Sequence, residues 1–431
     1  MIYCGMSELE ITPPLGSTIP GYFTDRKSTG IMDPLFVKAG VVESDERAFA
    51  FVVLDVLLIT SDLTEKIRRR EAKLSPILPE HVMVSATHTH TGPPVSTTTF
   101  YQADEAYKEW LVKKAADAIV LAYEKREEAQ IGYGIGHEGE IAFHRRYFMK
   151  DGTLQTNPGI GNPNVDRPAG PIDPQVSVIR IDNKDGKPLG VVTNYALHTD
   201  TVGGTLYSGD FPGELSAVIK KVLGPEAVSM FMMGASGNIN HIDVLGTGKL
   251  GDVRRPHIHQ KIGRILAGEV LKVREKIAVT DRAPVQSIRA ELTFRYRQPT
   301  QQEVDEAKKA LQESSPDEVE HNFAKELLQA YESGEGEVSA EVQVARIGDI
   351  AVTGIPSEIF VEFGLQLKEA SPFPITIINE LCNGSPGTYL CTREAYEQGG
   401  YEPKITSNNR LQIDAGEMVI SKAIELLRAL A

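Results

Sequence analysis

Apolar runs of strand length recur along the chain, separated by segments of helical period and by breaks rich in Gly, Pro, Asn and Asp. Phe36–Val42 and Ala48–Ile59 flank the turn-like Ser-Asp-Glu-Arg and predict paired strands. Glu65–Leu74 and Glu105–Lys125 read as helices, the second with Trp110, Leu111, Ala115, Ile119 and Ala122 at helical spacing. The apolar run from Val82 lies between them, so the order is strand, helix, strand, loop, helix. Val176–Asp182 and Leu189–Leu197 form a hairpin around Asn-Lys-Asp-Gly. Ser229–Gly234, Ser287–Phe294, Glu341–Gly354 and Phe373–Asn379 add strands, and Arg254–Lys276 and Asp414–Leu430 add amphipathic helices. This alternation predicts an α/β fold of mixed β-sheets with flanking helices, whose ligands lie beyond the carboxyl ends of strands. Residues 150–175 read as one long loop, and Gln301–Gly334 as an external helical hairpin without chemistry.

At 431 residues the chain exceeds the usual size of a single core, so one large unit with insertions or two lobes is expected. A net charge of −14 argues against nucleic acid or an anionic membrane as partner, since both need clustered Lys and Arg. The N-terminal stretch has neither a basic nor an apolar leader region, and no apolar run approaches spanning length. Cys4, Cys382 and Cys391 form no C-x-x-C pair and suit a reduced compartment. The chain reads as cytoplasmic, with a small-molecule substrate, no stable membrane association and self-association left open.

The candidate chemistry starts with Ala86-Thr-His88-Thr-His90-Thr-Gly92-Pro93. Side chains two apart in an extended chain point the same way, so a strand end there presents two imidazoles to one site. Either they serve a metal or proton transfer, or one packs while the other bonds a carbonyl. His198 also stands where an apolar strand gives way to a polar, Gly-rich loop, which favours a joint site. Asp55, inside Phe51–Ile59, needs a partner or a proton; it reads as a strand-end cap or as the acceptor for a histidine. Ser357 can cap a helix with Glu358 in its first turn. Ala235–His241 suits a tight turn lining a pocket, which nominates Asn240 and His241 as substrate-binding residues. Arg145 and Arg146 are either a solvated pair or recognisers of a carboxylate or oxyanion.

Taken together, Ile11-Thr12-Pro13 with Gly21-Tyr22, the His88–His90 segment, His144-Arg145, Asn194–His198 with Ser208-Gly209-Asp210, Pro356-Ser357-Glu358, and Tyr389–Tyr396 with Tyr401-Glu402 resemble a known family. In the same order and over almost the whole chain, they are similar to the N-terminal catalytic domain of the neutral/alkaline, non-lysosomal ceramidases. The resemblance implies that fold as a single domain over residues 1–431, with residues 300–334 as an inserted hairpin. It implies zinc held by His88, His198, Glu358 and Tyr389, a donor set that zinc accepts, with the metal's charge lowering the phenol pKa. It further implies that His90, Arg145 and Tyr401 stabilise an oxyanion or hold the substrate carbonyl, and that Gly21 lines the site.

Three departures qualify the activity. Asn240 stands where the family has a serine near zinc, Arg410 where it has a tyrosine, and Pro403 where it has a small residue. Neither the family's secretion signal nor its immunoglobulin-like C-terminal domain is expected in this chain. The expectation is a zinc-dependent hydrolase of an amide, or an ester, in a soluble substrate, with His90 or His241 as general acid. The alternatives are a metal-dependent lyase or isomerase on a polyol or sugar-like substrate, a ceramidase-type N-acyl amidohydrolase, and a binding protein on an enzyme scaffold.

Overall fold

Alternate residues of Arg47–Leu54 pack into two different cores: Ala50, Val52 and Leu54 on one side, Phe49, Phe51 and Val53 on the other. A strand apolar on both faces belongs in the middle of a layered stack. The computed structural model describes residues 1–45, 47–248, 250, 257–315 and 318–431. Its main sheet has eight strands. These are β1 (Ile2–Glu10), β2 (Phe36–Ser44), β3 (Arg47–Leu54), β4 (Val82–Ala86), β5 (Glu127–His137), β6 (Gln175–Asn183), β7 (Pro188–Tyr195) and β8 (Val228–Met233). Their order is β8-β7-β6-β5-β1-β2-β3-β4, with β7/β8 and β3/β4 parallel and the other neighbours antiparallel. A second sheet, in the order β9-β10-β11-β12, comprises β9 (Val285–Arg295), β10 (Glu337–Ile347), β11 (Ile350–Gly354) and β12 (Ile375–Asn379), with β11/β12 parallel.

One face of the main sheet is covered by α1 (Ser61–Glu71), α2 (Glu105–Glu124), α3 (Asp210–Leu223) and α4 (Ile258–Arg274). The second sheet packs on the other face through Val285, Ile347, Val352 and Ile377. Its outer side is closed by α7 (Val361–Ala370) and α9 (Ala415–Ala429). Two further helices, α5 (Gln301–Glu313) and α6 (Val319–Glu332), pack on each other between β9 and β10, and α8 (Arg393–Gln398) is short.

The hydrogen-bonding pattern makes β4 and β7 run in opposite senses, yet their carboxyl ends meet. Six strand-to-strand steps of roughly 20–25° each turn β4 most of the way round relative to β7. As a result β8, at one edge, contacts β3 and β4 at the other. The second sheet is tied to the same end. The Asn194 amide donates to Met232 O at 2.9 Å and Ile378 O at 2.7 Å, and Asn383 N donates to Val84 O at 2.8 Å.

Several expectations change in detail. Trp110 lies at helical spacing but is 37% exposed, on the solvent side of α2. α1 begins earlier than predicted, at Ser61, because the Thr60 side chain accepts from Leu63 N and caps it. Residues 150–175 are not a bare loop: Leu154–Thr156 and Val165–Pro168 pair with Arg146–Met149 in a three-stranded sheet. The predicted start of the fourth large helix at Arg254 lies outside the described residues, and the helix is seen from Ile258. No helix is long and apolar enough to cross a membrane among the described residues.

Candidate metal centre and cavity

β4 delivers its histidines through a strained turn. His88 has φ +67°, which a β-carbon resists, and His88 N is held by Val56 O at 3.0 Å. Its Nδ1 is 2.6 Å from Leu57 O. A carbonyl can only accept, so Nδ1 carries the proton and the Nε2 lone pair faces inward. Asp55 does not serve as the acceptor for a histidine. It accepts from Phe36 N at 2.8 Å and Thr87 Oγ1 at 3.0 Å, holding the residue before His88, while burial pushes its pKa up.

His198 enters beyond the end of β7. Its Nε2 is 3.1 Å from His88 Nε2 and 3.2 Å from His90 Nε2, and the latter two are 3.4 Å apart. All three rings are buried. Burial, followed by the neighbouring His88 charge, holds His90 and His198 well below the usual histidine pKa. Burial opposes charge on His88 too, but the facing Glu358 carboxylate and the Leu57 carbonyl raise it. Three ring nitrogens converging within 4.8 Å, two of them kept neutral, form an arrangement that a cation would stabilise.

Glu358 completes the cluster, by a route other than the helix cap predicted. Glu358–Ile359 is a short strand paired in parallel with Tyr389–Leu390, in the register Glu358↔Tyr389. Residues level across a strand pair share a face, which brings these two side chains to one site. Ser357, at φ +65°, donates its hydroxyl to Gly387 O instead of capping α7, whose N-cap is Phe360. Glu358 Oε2 lies 3.4 Å from His88 Nε2 and 3.8 Å from His198 Nδ1, buried with no partner in hydrogen-bonding geometry among the described residues. An orphaned carboxylate oxygen beside inward-facing imidazole lone pairs fits a divalent cation.

Tyr389 is buried beside the cavity, and burial, then the Glu358 charge, pushes its pKa well up while Arg145 opposes the rise. The Arg145 guanidinium lies 5.2 Å from the Tyr389 ring centroid and 5.9 Å from that of Tyr401. Its Nε donates to Glu402 at 2.8 Å and its Nη2 to Gly237 O at 2.6 Å. Tyr401, pushed up to about 12 chiefly by burial, packs on Tyr389 at 5.9 Å between ring centroids.

These side chains open onto a cavity of ≈ 380 Å³ lined by Gly21, His88, His90, Glu358, Tyr389 and Tyr401, among others. Arg145, His198, Asn240 and His241 are not among the lining residues; His198 joins the site through its contacts with His88 and His90. Arg145 reaches the site through Tyr389. The Asn240 side chain donates to Asn157 at 2.8 Å, and its backbone pairs with Phe143. Gly21, at φ +102°, sits flush against the His90 ring.

Three partners escaped the sequence reading. Glu380, fully buried and pushed up to about 8 by burial, accepts from Ser236 Oγ at 2.6 Å and Ile359 N at 2.8 Å, directly behind Glu358. Asp200 is 3.7 Å from His90 Nδ1 and accepts from Tyr22 OH at 2.5 Å. Glu402, at 0% exposure, pairs with both Arg145 and Arg146. A signal existed for Glu380, which ends the apolar run Ile375–Asn379 much as His88 and His198 follow theirs.

The sequence profile of the neutral/alkaline non-lysosomal ceramidases, N-terminal, matches residues 3–227, just over half of the chain. The chain belongs to that family. A curated relative, neutral ceramidase B of Dictyostelium discoideum, is 24% identical over 262 residues, covering 54% of this chain and 34% of the relative. The match thus spans about a third of that protein's length. The crystal structure of neutral ceramidase from Pseudomonas aeruginosa superposes with a TM-score of 0.76 at 18% identity, covering 100% of this chain and 74% of that one. A ceramidase structure complexed with C2 gives 0.74 at 16% identity, covering 100% and 75%. At these identities the likeness shows a shared fold.

Proposed function

We propose that the chain is a zinc-dependent hydrolase of an amide bond, or less readily an ester, in a small polar substrate. The observation that carries this reading is the convergence of three imidazoles and an orphaned carboxylate, of which His88, His90 and Glu358 line a cavity. On this reading His88, His198, Glu358 and Tyr389 would hold the metal, and zinc bound there would supply Lewis acidity and activate water near neutral pH.

The chain's own residues do the rest. Tyr401, on the cavity wall, donates to the oxygen that gains charge as the carbonyl is attacked. Arg145 acts one step back: its charge favours the Tyr389 phenolate, and Glu402 fixes its direction. His90 is the proton carrier for the leaving nitrogen. Of the two candidates it is the one that lines the cavity, and Asp200 stands beside its Nδ1. Gly21 keeps that ring in place.

The cavity wall bears on the substrate. At ≈ 380 Å³ it lies at the small end for ligand sites, and its wall combines Ser385, Thr406, Ser407 and Asn408 with Phe23, Phe100 and Phe323. That volume suits a short amide better than a long acyl chain, so ceramide itself is not the proposed substrate. Product analysis in ¹⁸O-water tests the reaction class. Hydrolysis places one solvent oxygen in the carboxylate product; a product without it would sink the hydrolase reading in favour of elimination.

A further inference from the structure

The helical pair α5/α6, read from sequence as external, supplies a buried carboxylate to the cavity wall. Glu326 of α6 is 3% exposed and lines the cavity. Its Oε2 accepts from Ser407 N at 3.1 Å and from the Ser407 hydroxyl. Its Oε1 is equally buried and has no hydrogen-bond partner among the described residues. A buried carboxylate oxygen without a donor carries its full desolvation penalty. Something entering the cavity with a donor would remove that penalty.

The position relative to the metal centre is set by rings. Tyr389 packs on Tyr401 at 5.9 Å, Tyr401 on Phe323 at 5.6 Å, and Phe323 on Phe23 at 5.1 Å. Glu326 follows Phe323 by three residues on the same face of α6. An aromatic wall therefore runs from the metal centre to Glu326, about the length of a short molecule. The Lys404 ammonium sits over the Phe323 ring at 4.6 Å, and no ion pair links it to Glu326 among the described residues.

We propose that Glu326 determines specificity by accepting a hydrogen bond from an ammonium or hydroxyl group at the end of the substrate remote from the amide to be cleaved. This rests on reading the cavity as the substrate site of an amide hydrolase, and it narrows the substrate class to short amides with a distal donor.

The test uses the intact, metal-loaded protein and three probes of matched length: N-(4-aminobutyl)acetamide, N-(4-hydroxybutyl)acetamide and N-pentylacetamide. Calorimetric titration of wild type should show one or both donor probes binding roughly 10–100-fold tighter than the pentyl probe, the span expected of a charge-assisted hydrogen bond. Glu326→Ala should abolish the preference. Glu326→Gln should keep it if a hydroxyl is the donor, because the amide oxygen still accepts, and lose it if an ammonium is. Ser407→Ala, which removes the hydroxyl bond to Oε2 and leaves the Ser407 N–H bond in place, should retain it and so separate recognition from support of the Ser407 turn. Equal binding of all three probes by wild type, or a preference that survives in Glu326→Ala, overturns the proposal. Because binding is read without turnover, failure to release acetate from any probe would count against the hydrolase reading and not against this one.

Discussion

Replacing Gly21 by alanine perturbs a residue outside the metal set and tests what His90 does. A β-carbon on Gly21 would lie 2.6 Å from His90 Nδ1, 3.0 Å from its Cγ and 3.3 Å from its Cβ. Ordinary contact begins near 3.4 Å, so the ring must retreat by roughly 0.8 Å. The loop has little room to yield instead. Arg26 Nη2 donates to Pro20 O at 2.5 Å and to His90 O at 2.7 Å, and Tyr22 is bonded to Asp200 at 2.5 Å. The positive φ adds about 1–2 kcal/mol of backbone strain for any L-residue. A displacement near 1 Å of a catalytic group costs up to about 100-fold in rate, or about 2.7 kcal/mol of transition-state stabilisation. Gly21→Ala should therefore lower kcat/KM by roughly 10–100-fold on an amide substrate while zinc content stays at wild-type stoichiometry. Both are read on one preparation, by steady-state kinetics and elemental analysis. Unchanged kcat/KM would refute the reasoning, and joint loss of zinc and activity would make His90 a ligand in place of a proton carrier.

Glu380→Ala removes the acceptor of both Ser236 Oγ and Ile359 N and so loosens the segment carrying Glu358. Metal affinity should fall roughly 10–100-fold in a chelator competition, and an unchanged dissociation constant would remove Glu380 from the account. Glu402→Gln leaves two buried guanidiniums without their counter-charge, so urea unfolding should show a loss of about 3–5 kcal/mol. A loss below about 1 kcal/mol would mean that those arginines find other partners. Asp33 is pushed up from 3.8 to about 6, chiefly by burial and against its bonds from Ser208 and Gly209. The native state then holds a proton that the unfolded chain releases, so this group's stabilising contribution is fully present below about pH 4 and lost as pH rises through 6. Asp33→Asn should flatten the decline in urea midpoint between pH 4 and 7; an identical slope in the variant would contradict that assignment.

The layered fold was legible where periodicity was strong. β6, β7 and α2 fall close to their predicted limits because alternation or helical spacing persists over enough residues to set the buried face. β3 stops at Leu54, short of the predicted Ile59, and β4 stops at Ala86, so the histidines sit on a turn with His88 at φ +67° and not on an extended strand end. The three-stranded sheet around 150–175 was hidden because its strands are three or four residues long and separated by Gly-, Asn- and Pro-rich segments, so pairing rather than propensity holds them. Ser357 and Glu358 carried a good helix-cap signature, yet pairing with Tyr389–Leu390 prevails there and places the carboxylate in the site. His88 and His198 could be nominated singly from strand ends, but their meeting depends on accumulated sheet twist, which no local pattern encodes. The same applies to Glu326, whose charged, amphipathic helix looks solvent-facing until residues 401–409 fold over it.

The most direct measurement is elemental analysis of purified wild type alongside His88→Ala and Glu358→Ala, with folding checked by circular dichroism. One zinc per chain in wild type, and a loss of most of it in each folded variant, is the expected outcome. Full zinc occupancy in both variants would mean that these residues do not share a metal, and the proposed chemistry would have no centre.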